Sequence, residues 1–147
     1  MLFRSNIEFL GQPPFPLSEY YPGDAYVDWT AMDGFNWGTA TKETVWNTFA
    51  QVFNQTYNHI LSITANKPLM IAEIGCVEQG GDKANWITDA YSVELNNFPA
   101  IKAMVWFDQH TQQDWRIESS ETATRAFSQA IQSPIFAANI FANYNGG

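Results

Sequence analysis

Basic residues are scarce in this chain, and their scarcity narrows the range of partners. The sequence contains 7 Lys and Arg against 15 Asp and Glu, which gives a formal net charge of −8 at pH 7. Nucleic acids and anionic membrane surfaces select for basic proteins. We therefore expect neither of them as a partner, and a neutral or cationic ligand suits the chain better.

Long apolar runs are also missing. No segment approaches the roughly 18 apolar residues that a membrane helix needs. The first residues lack the basic start and apolar stretch of a secretory signal. We expect no signal peptide in this chain and secretion only of a longer form.

The residues that hold metals, disulfides and phosphates are few. The single Cys76 cannot form an intrachain disulfide, and a buried, inert thiol is the expected state of such a cysteine. His59 and His110 have no third ligand at metal spacing. No Gly-rich phosphate loop follows any predicted strand. We expect neither a metal nor a cofactor.

Aromatic and apolar residues, by contrast, are plentiful. The 147 residues are 46% hydrophobic, which predicts one globular domain with a core. Aromatic residues make up 16% of the chain, including six Trp, which exceeds what a small core needs. Aromatic faces outside a core commonly stack on flat apolar ligand surfaces, including sugar rings.

Strand and helix patterns alternate along the chain, which predicts consecutive βαβ units and a parallel sheet. A loop rich in Pro and Gly separates the first two strands. Strands are predicted at 2–6, 26–36, 68–75 and 100–108, and helices at 42–64, from Asp82 to a stop at 97–99, and from a Ser120 cap to a stop at 133–134.

The most informative position is Glu73, which ends the otherwise apolar run of 68–75. Such a run is typical of a strand buried on both faces of a parallel sheet. Ligands and catalytic groups gather at the carboxyl ends of parallel strands. Because a buried, unpaired carboxylate costs several kcal/mol, we expect Glu73 to have either a partner or a chemical role.

Two neighbouring strand ends carry aromatic and amide side chains, in 35–37 and 106–108. The strand ends are spaced as consecutive βαβ units of about 30 or more residues require. We expect all three ends to point the same way. A carboxylate ringed by aromatic and amide groups is what a carbohydrate-cleaving site requires.

Three sets of motifs, in this order and spacing, resemble glycoside hydrolase family 26, the β-mannanase family. The resemblance covers about residues 3–131 and matches the carboxyl-terminal half of the family's (β/α)8 barrel. The motifs are Tyr20-Tyr21-Pro22-Gly23-Asp24 with Tyr26-Val27-Asp28-Trp29 and Asp33-Gly34-Phe35-Asn36-Trp37-Gly38; Ile71-Ala72-Glu73-Ile74-Gly75 with Glu78-Gln79-Gly80-Gly81-Asp82-Lys83-Ala84; and Val105-Trp106-Phe107-Asp108 with Asp114-Trp115-Arg116-Ile117.

The resemblance implies an α/β fold that is a partial (β/α)8 TIM barrel, about strands five to eight with their helices. Residues 1–133 would form this half-barrel and 134–147 a tail. It implies a retaining endo-β-glycosidase that hydrolyses β-mannan-type polysaccharide, with Glu73 as nucleophile and Trp106 lining the sugar subsite. The other candidate substrate-binding residues are Phe35, Asn36, Trp37 and Asp108.

Some of these residues have simpler interpretations. The family usually has Tyr where this chain has Phe35, so either the packing alone has changed or the site has. Trp37 could equally serve packing, and Asp108 could brace its loop.

A retaining mechanism needs a second carboxylate, and no residue of this chain matches the family's acid/base Glu. We therefore expect an incomplete catalytic domain that is inactive alone, with a missing amino-terminal barrel half as a partner. Two alternatives stay open: a non-catalytic carbohydrate-binding or pseudoenzyme remnant, and an unrelated doubly wound domain that binds a small ligand.

Overall fold

The computed structural model describes residues 2–4 and 16–136, which fold as an α/β unit. Its four strands pair in parallel and in sequence order. They are β1 (Leu2–Arg4), β2 (Thr30–Asn36), β3 (Leu69–Cys76) and β4 (Ile101–Trp106). The α-helices are α1 (Phe49–Ile63), α2 (Lys83–Ser92) and α3 (Glu121–Ala130). The end of the first predicted strand, most of the loop after it and the tail beyond 136 lie outside the described residues.

Side-chain caps explain where the helices begin. Asp82 accepts a hydrogen bond from the Asn85 backbone N–H at the start of α2, and Ser120 caps α3 in the same way. Both predicted caps are confirmed. The predicted start of α1 near residue 42 is wrong, because Thr48 and Gln51 form a reciprocal capping box that starts the helix at Phe49.

The second strand also begins later than its apolar pattern predicts. Residues Asp24–Tyr26 form a turn of 3-10 helix, and Tyr26 is 81% exposed. Pairing with β3 starts at Thr30, whose backbone N–H donates to the carbonyl of Pro68. The parallel arrangement of the three predicted strand ends is confirmed.

The helices of the described chain lie against one face of the sheet. A side chain at Gly34 of β2 would collide with Phe53 of α1, so residue 34 faces α1. At the other edge, Trp106 of β4 packs against Trp86 of α2 and Phe127 of α3. The core therefore fills the space between the sheet and the helices, and residues 33 and 35 of β2 point to the opposite face. None of the helices in 2–4 and 16–136 combines the length and the apolar character needed to cross a membrane.

Candidate active site

A β-bulge directs Glu73 to the face of the sheet that no described helix covers. Ile71 and Ile74 are both fully buried in the core although they stand three residues apart, which a regular strand does not allow. The extra residue is Ala72, because Met32 pairs with Ile71 and the next residue, Asp33, pairs with Glu73. Bulges of this kind re-aim a side chain and are common beside active sites.

Glu73 is partly buried, and its neighbour across the sheet is another carboxylate. Asp33 pairs in register with Glu73 and is only 4% exposed. Within the part of the chain that the structure describes, no side chain donates a hydrogen bond to the Glu73 carboxylate. The prediction that Glu73 ends its strand is wrong, because β3 continues to Cys76, but the bulge leaves the Glu73 carboxylate on the face where a ligand could meet it.

Four aromatic residues form a cluster beyond the end of β3, which we call the aromatic cluster: Phe35, Trp37, Phe107 and Trp115. The Phe35 ring lies 5.6 Å from Phe107 and 4.9 Å from Trp115, and Trp37 lies 4.8 Å from Trp115, as ring centroids. Gly75, two residues after Glu73, leaves room for the cluster, because a Cβ there would lie 2.8 Å from Phe35 and 3.1 Å from Trp115. Of the predicted contact residues, the structure thus brings Phe35 and Trp37 together.

Trp106 lies on the helix side of the sheet instead. It pairs in register with the core residue Ile74, and its ring contacts Trp86 and Phe127. Its indole N–H donates to the carbonyl of Trp115 at 2.8 Å. The structure therefore does not bring the Trp106 ring to the face that carries Glu73.

The side chain of the next residue, Phe107, lies on the face that carries Glu73. Its backbone N–H extends the pairing with β3 by donating to the Ile74 carbonyl at 2.8 Å, and its ring meets Phe35 edge-on. Phe107 was not among the predicted site residues. Its only sequence signal was its place in the motif that follows Val105, because the face it occupies depends on the irregular pairing of β4 with β3.

Asn36 and Asp108 both accept hydrogen bonds from backbone N–H groups of loops. Asn36 is fully buried, and its side-chain oxygen accepts from the backbone N–H groups of Gly38 at 3.2 Å and Asn47 at 3.0 Å. Asp108 is exposed, and one carboxylate oxygen accepts from the Ile117 backbone N–H at 2.7 Å. Asn36 thus shapes the loop after β2, while Asp108 spans the loop after β4.

Lys83, which sequence reasoning also missed, is a fully buried ammonium at the first position of α2. It donates to Ser119 Oγ at 2.9 Å and to the carbonyl of Arg116 at 2.7 Å, and it lies 5.7 Å from the centre of the Trp106 ring. Burial lowers the pKa of Lys83. The only sequence signal was its place in the motif that follows β3.

Nothing in the described residues indicates a metal centre. No group of three or more His, Cys, Asp or Glu side chains there is arranged to hold a metal ion. Cys76 is fully buried, and burial raises the pKa of its thiol to about 12, so the thiol stays protonated at neutral pH. The buried, inert thiol that we predicted is confirmed.

Comparison with known proteins relates the chain to a glycoside hydrolase. No protein-family model matches the chain. Endoglucanase H of Acetivibrio thermocellus is 46% identical to this chain over 131 residues, which are 88% of this chain and 14% of that protein. The chain thus spans only a small part of the length of this relative. An endoglucanase is a glycoside hydrolase, and this chain contains a glycoside hydrolase-like region.

Proposed function

We propose that this chain is the carboxyl-terminal part of the catalytic domain of a retaining endo-β-glycosidase, with Glu73 as its nucleophile. One observation carries the proposal: the bulge at Ala72 turns Glu73 onto the open face of the sheet, beside the aromatic cluster. The similarity to an endoglucanase over nearly the whole chain supports the same function.

We further propose that the sheet is about half of a (β/α)8 barrel. Doubly wound sheets carry helices on both faces, whereas the described helices here cover one. The parallel strands follow sequence order, as they do around a barrel. Beside β4, Ile101, Met104 and Phe127 line an open apolar groove that a further strand and helix would fill.

In the proposed reaction, a Glu73 oxygen attacks the anomeric carbon while the bond from that carbon to the leaving oxygen breaks. A second carboxylate, about 5 to 5.5 Å away, protonates the leaving oxygen and later removes a proton from the water that hydrolyses the intermediate. Asp33 lies beside Glu73 but is 4% exposed, so we do not assign it this role. We propose that the acid/base carboxylate belongs to the other barrel half. That half would complete the barrel around the bound substrate.

The proposed substrate is a β-linked hexose polysaccharide, since the exposed parts of the aromatic cluster and the net charge of −8 suit a neutral sugar. The motif resemblance favours β-mannan, and the name of the relative favours β-glucan. Phe35 lacks the hydroxyl that the family's usual Tyr would offer to Glu73. This difference is consistent with a change in the sugar that is accepted.

Covalent labelling tests the nucleophile directly. Dinitrophenyl 2-deoxy-2-fluoro-β-mannoside and its glucoside carry good leaving groups, so the first step needs little acid assistance. We expect intact-protein mass spectrometry to show one added fluorosugar, and peptide mapping to place it on Glu73. Glu73→Gln should abolish the label, and Glu121→Gln, at an exposed carboxylate in the first turn of α3, should not. A folded sample that takes no label would favour the non-catalytic remnant.

Activity of a longer polypeptide tests the half-barrel. Expression from the coding sequence that extends upstream should give hydrolysis of mannan or of β-glucan, and the substrate that is cleaved faster identifies the sugar. The 147-residue chain alone should hydrolyse neither. A purified monomer of the 147 residues with an ordinary glycosidase rate would contradict the need for a second half.

A further inference from the structure

Lys83 ties the helix after the nucleophile strand to the loop after β4. Its ammonium group has three acceptors, all in that loop: the carbonyl of Arg116 at 2.7 Å, Ser119 Oγ at 2.9 Å and the carbonyl of Trp115 at 3.4 Å. Ser119 in turn donates to Glu78 Oε1 at 2.8 Å. Lys83 therefore joins α2 to the loop after β4, and Ser119 joins that loop to the loop after β3.

The buried first position of α2 is energetically unfavourable for a lysine. Burial disfavours the charged form, and the first turn of a helix is the end that repels a cation. Lys83 is nevertheless fully buried at the first position of α2. A buried ammonium is stable when its donors are satisfied, and the three oxygens of the loop satisfy them.

The loop that Lys83 holds carries Trp115, the buried member of the aromatic cluster. The Trp115 carbonyl also receives the Trp106 indole N–H, so the backbone at Trp115 is fixed from two sides. The Trp115 side chain is 1% exposed and packs between Phe35 and Trp37. A shift of the loop would therefore move the aromatic cluster relative to Glu73.

We infer that Lys83 is a positioning residue that sets the place of Trp115, and through it the aromatic surface on which the sugar rests beside Glu73. This inference rests on the proposed glycosidase function for its effect on catalysis. Its effect on the aromatic cluster holds whether or not the chain reacts with a sugar.

Two variants of the 147-residue chain test the inference, with one matched control. Lys83→Met removes the ammonium and keeps an apolar stem, and Ser119→Ala removes one of its acceptors. Asp82→Ala removes the exposed cap of the same helix without touching the loop after β4. Indole N–H signals in 15N NMR spectra, assigned by single Trp→Phe variants, and the concentration dependence of fluoroglycoside labelling are measured for each.

For Lys83→Met we expect the indole signals of Trp37 and Trp115, the tryptophans of the aromatic cluster, to move while that of Trp29 stays in place. The Trp106 signal is not a readout, because the Lys83 ammonium lies 5.7 Å from that ring. The sugar concentration for half-maximal labelling should rise on the order of tenfold or more, since a misplacement of about 1 Å can cost 100-fold. Asp82→Ala should lower the unfolding midpoint and change neither readout. Ser119→Ala should move the same two signals by less.

The inference is wrong if the indole signals do not move in Lys83→Met. It is also wrong if the wild type is labelled and Lys83→Met needs the same sugar concentration for half-maximal labelling. Where Lys83→Met fails to fold, unmoved signals in Ser119→Ala overturn it and moved signals support it. If the wild type takes no label, the proposed function has failed, and the indole spectra alone decide whether Lys83 positions the cluster.

Discussion

Replacing Gly75 with Ala tests whether the aromatic cluster is packed as tightly as the structure shows. The added Cβ would lie 2.8 Å from Phe35 Cδ1 and 3.1 Å from Trp115 Cε3. Gly75 does not have a positive φ. If no side chain lay near it, Ala would therefore stabilise the chain by about 0.4–1 kcal/mol, because it lowers the conformational entropy of the unfolded state. Overpacking of a filled core costs about 1–3 kcal/mol. Because Trp115 is fully buried and its loop is tethered, we expect the cost to exceed the gain.

The net effect should be a loss of about 0.5–2 kcal/mol in unfolding free energy, measured by urea denaturation with tryptophan fluorescence. With a urea slope of about 1–3 kcal/mol/M, the midpoint should fall by several tenths of a molar unit. Phe35→Leu in the same chain frees space for the methyl group, so the double variant should be more stable than the two single effects predict. A Gly75→Ala protein that is as stable as the wild type, or more so, would refute the packing argument.

The other predictions concern separate parts of the molecule. Thr48→Ala should destabilise the chain by about 1 kcal/mol in urea denaturation, because the α1 capping box is lost. Trp106→Phe should cost about 0.5–1.5 kcal/mol through loss of the bond to the Trp115 carbonyl. The Arg116 hydrogen bond lowers the pKa of Asp114 to about 2, below the unfolded value near 3.9, so Asp114 favours folding above pH 4 and loses this effect as pH falls towards 2. The small stability difference between wild type and Asp114→Asn should therefore shrink over that range.

A specific result would contradict each of these three predictions. Thr48→Ser keeps the capping oxygen and should retain stability, so an equal loss in both variants would argue against the cap. Unchanged stability of Trp106→Phe would mean that the Lys83 ammonium, 3.4 Å from the Trp115 carbonyl, satisfies this acceptor alone. A constant difference between wild type and Asp114→Asn from pH 5 to pH 2 would contradict the depressed pKa.

Local patterns predicted those parts of the fold that depend on neighbours in sequence. Asp82 and Ser120 were recognisable as caps because a short polar side chain before an apolar helical pattern satisfies free backbone N–H groups. The parallel sheet followed from the alternation of strands and helices. The start of α1 was misplaced because the apolar pattern continues upstream of the capping box at Thr48.

The faces of the strand-end residues could not be predicted in the same way. Pairing irregularities at Ala72 and between Ile101 and Ala103 shift the alternation, and such bulges depend on the partner strand. The Trp106 side chain therefore lies on the helix side of the sheet, and the Phe107 side chain lies on the open side.

By itself, the sequence indicated a carboxylate near the end of a buried strand, because an apolar run of this length between a proline and a glycine is typical of such a strand. The strand continues past Glu73 to Cys76 in the structure. Only the tertiary structure decided what Glu73 faces, since one residue inserted into the pairing turns a side chain from the core to the open face. It also decided the role of Lys83, whose partners lie more than thirty positions along the chain and come within hydrogen-bond distance only when α2 packs beside the loop after β4.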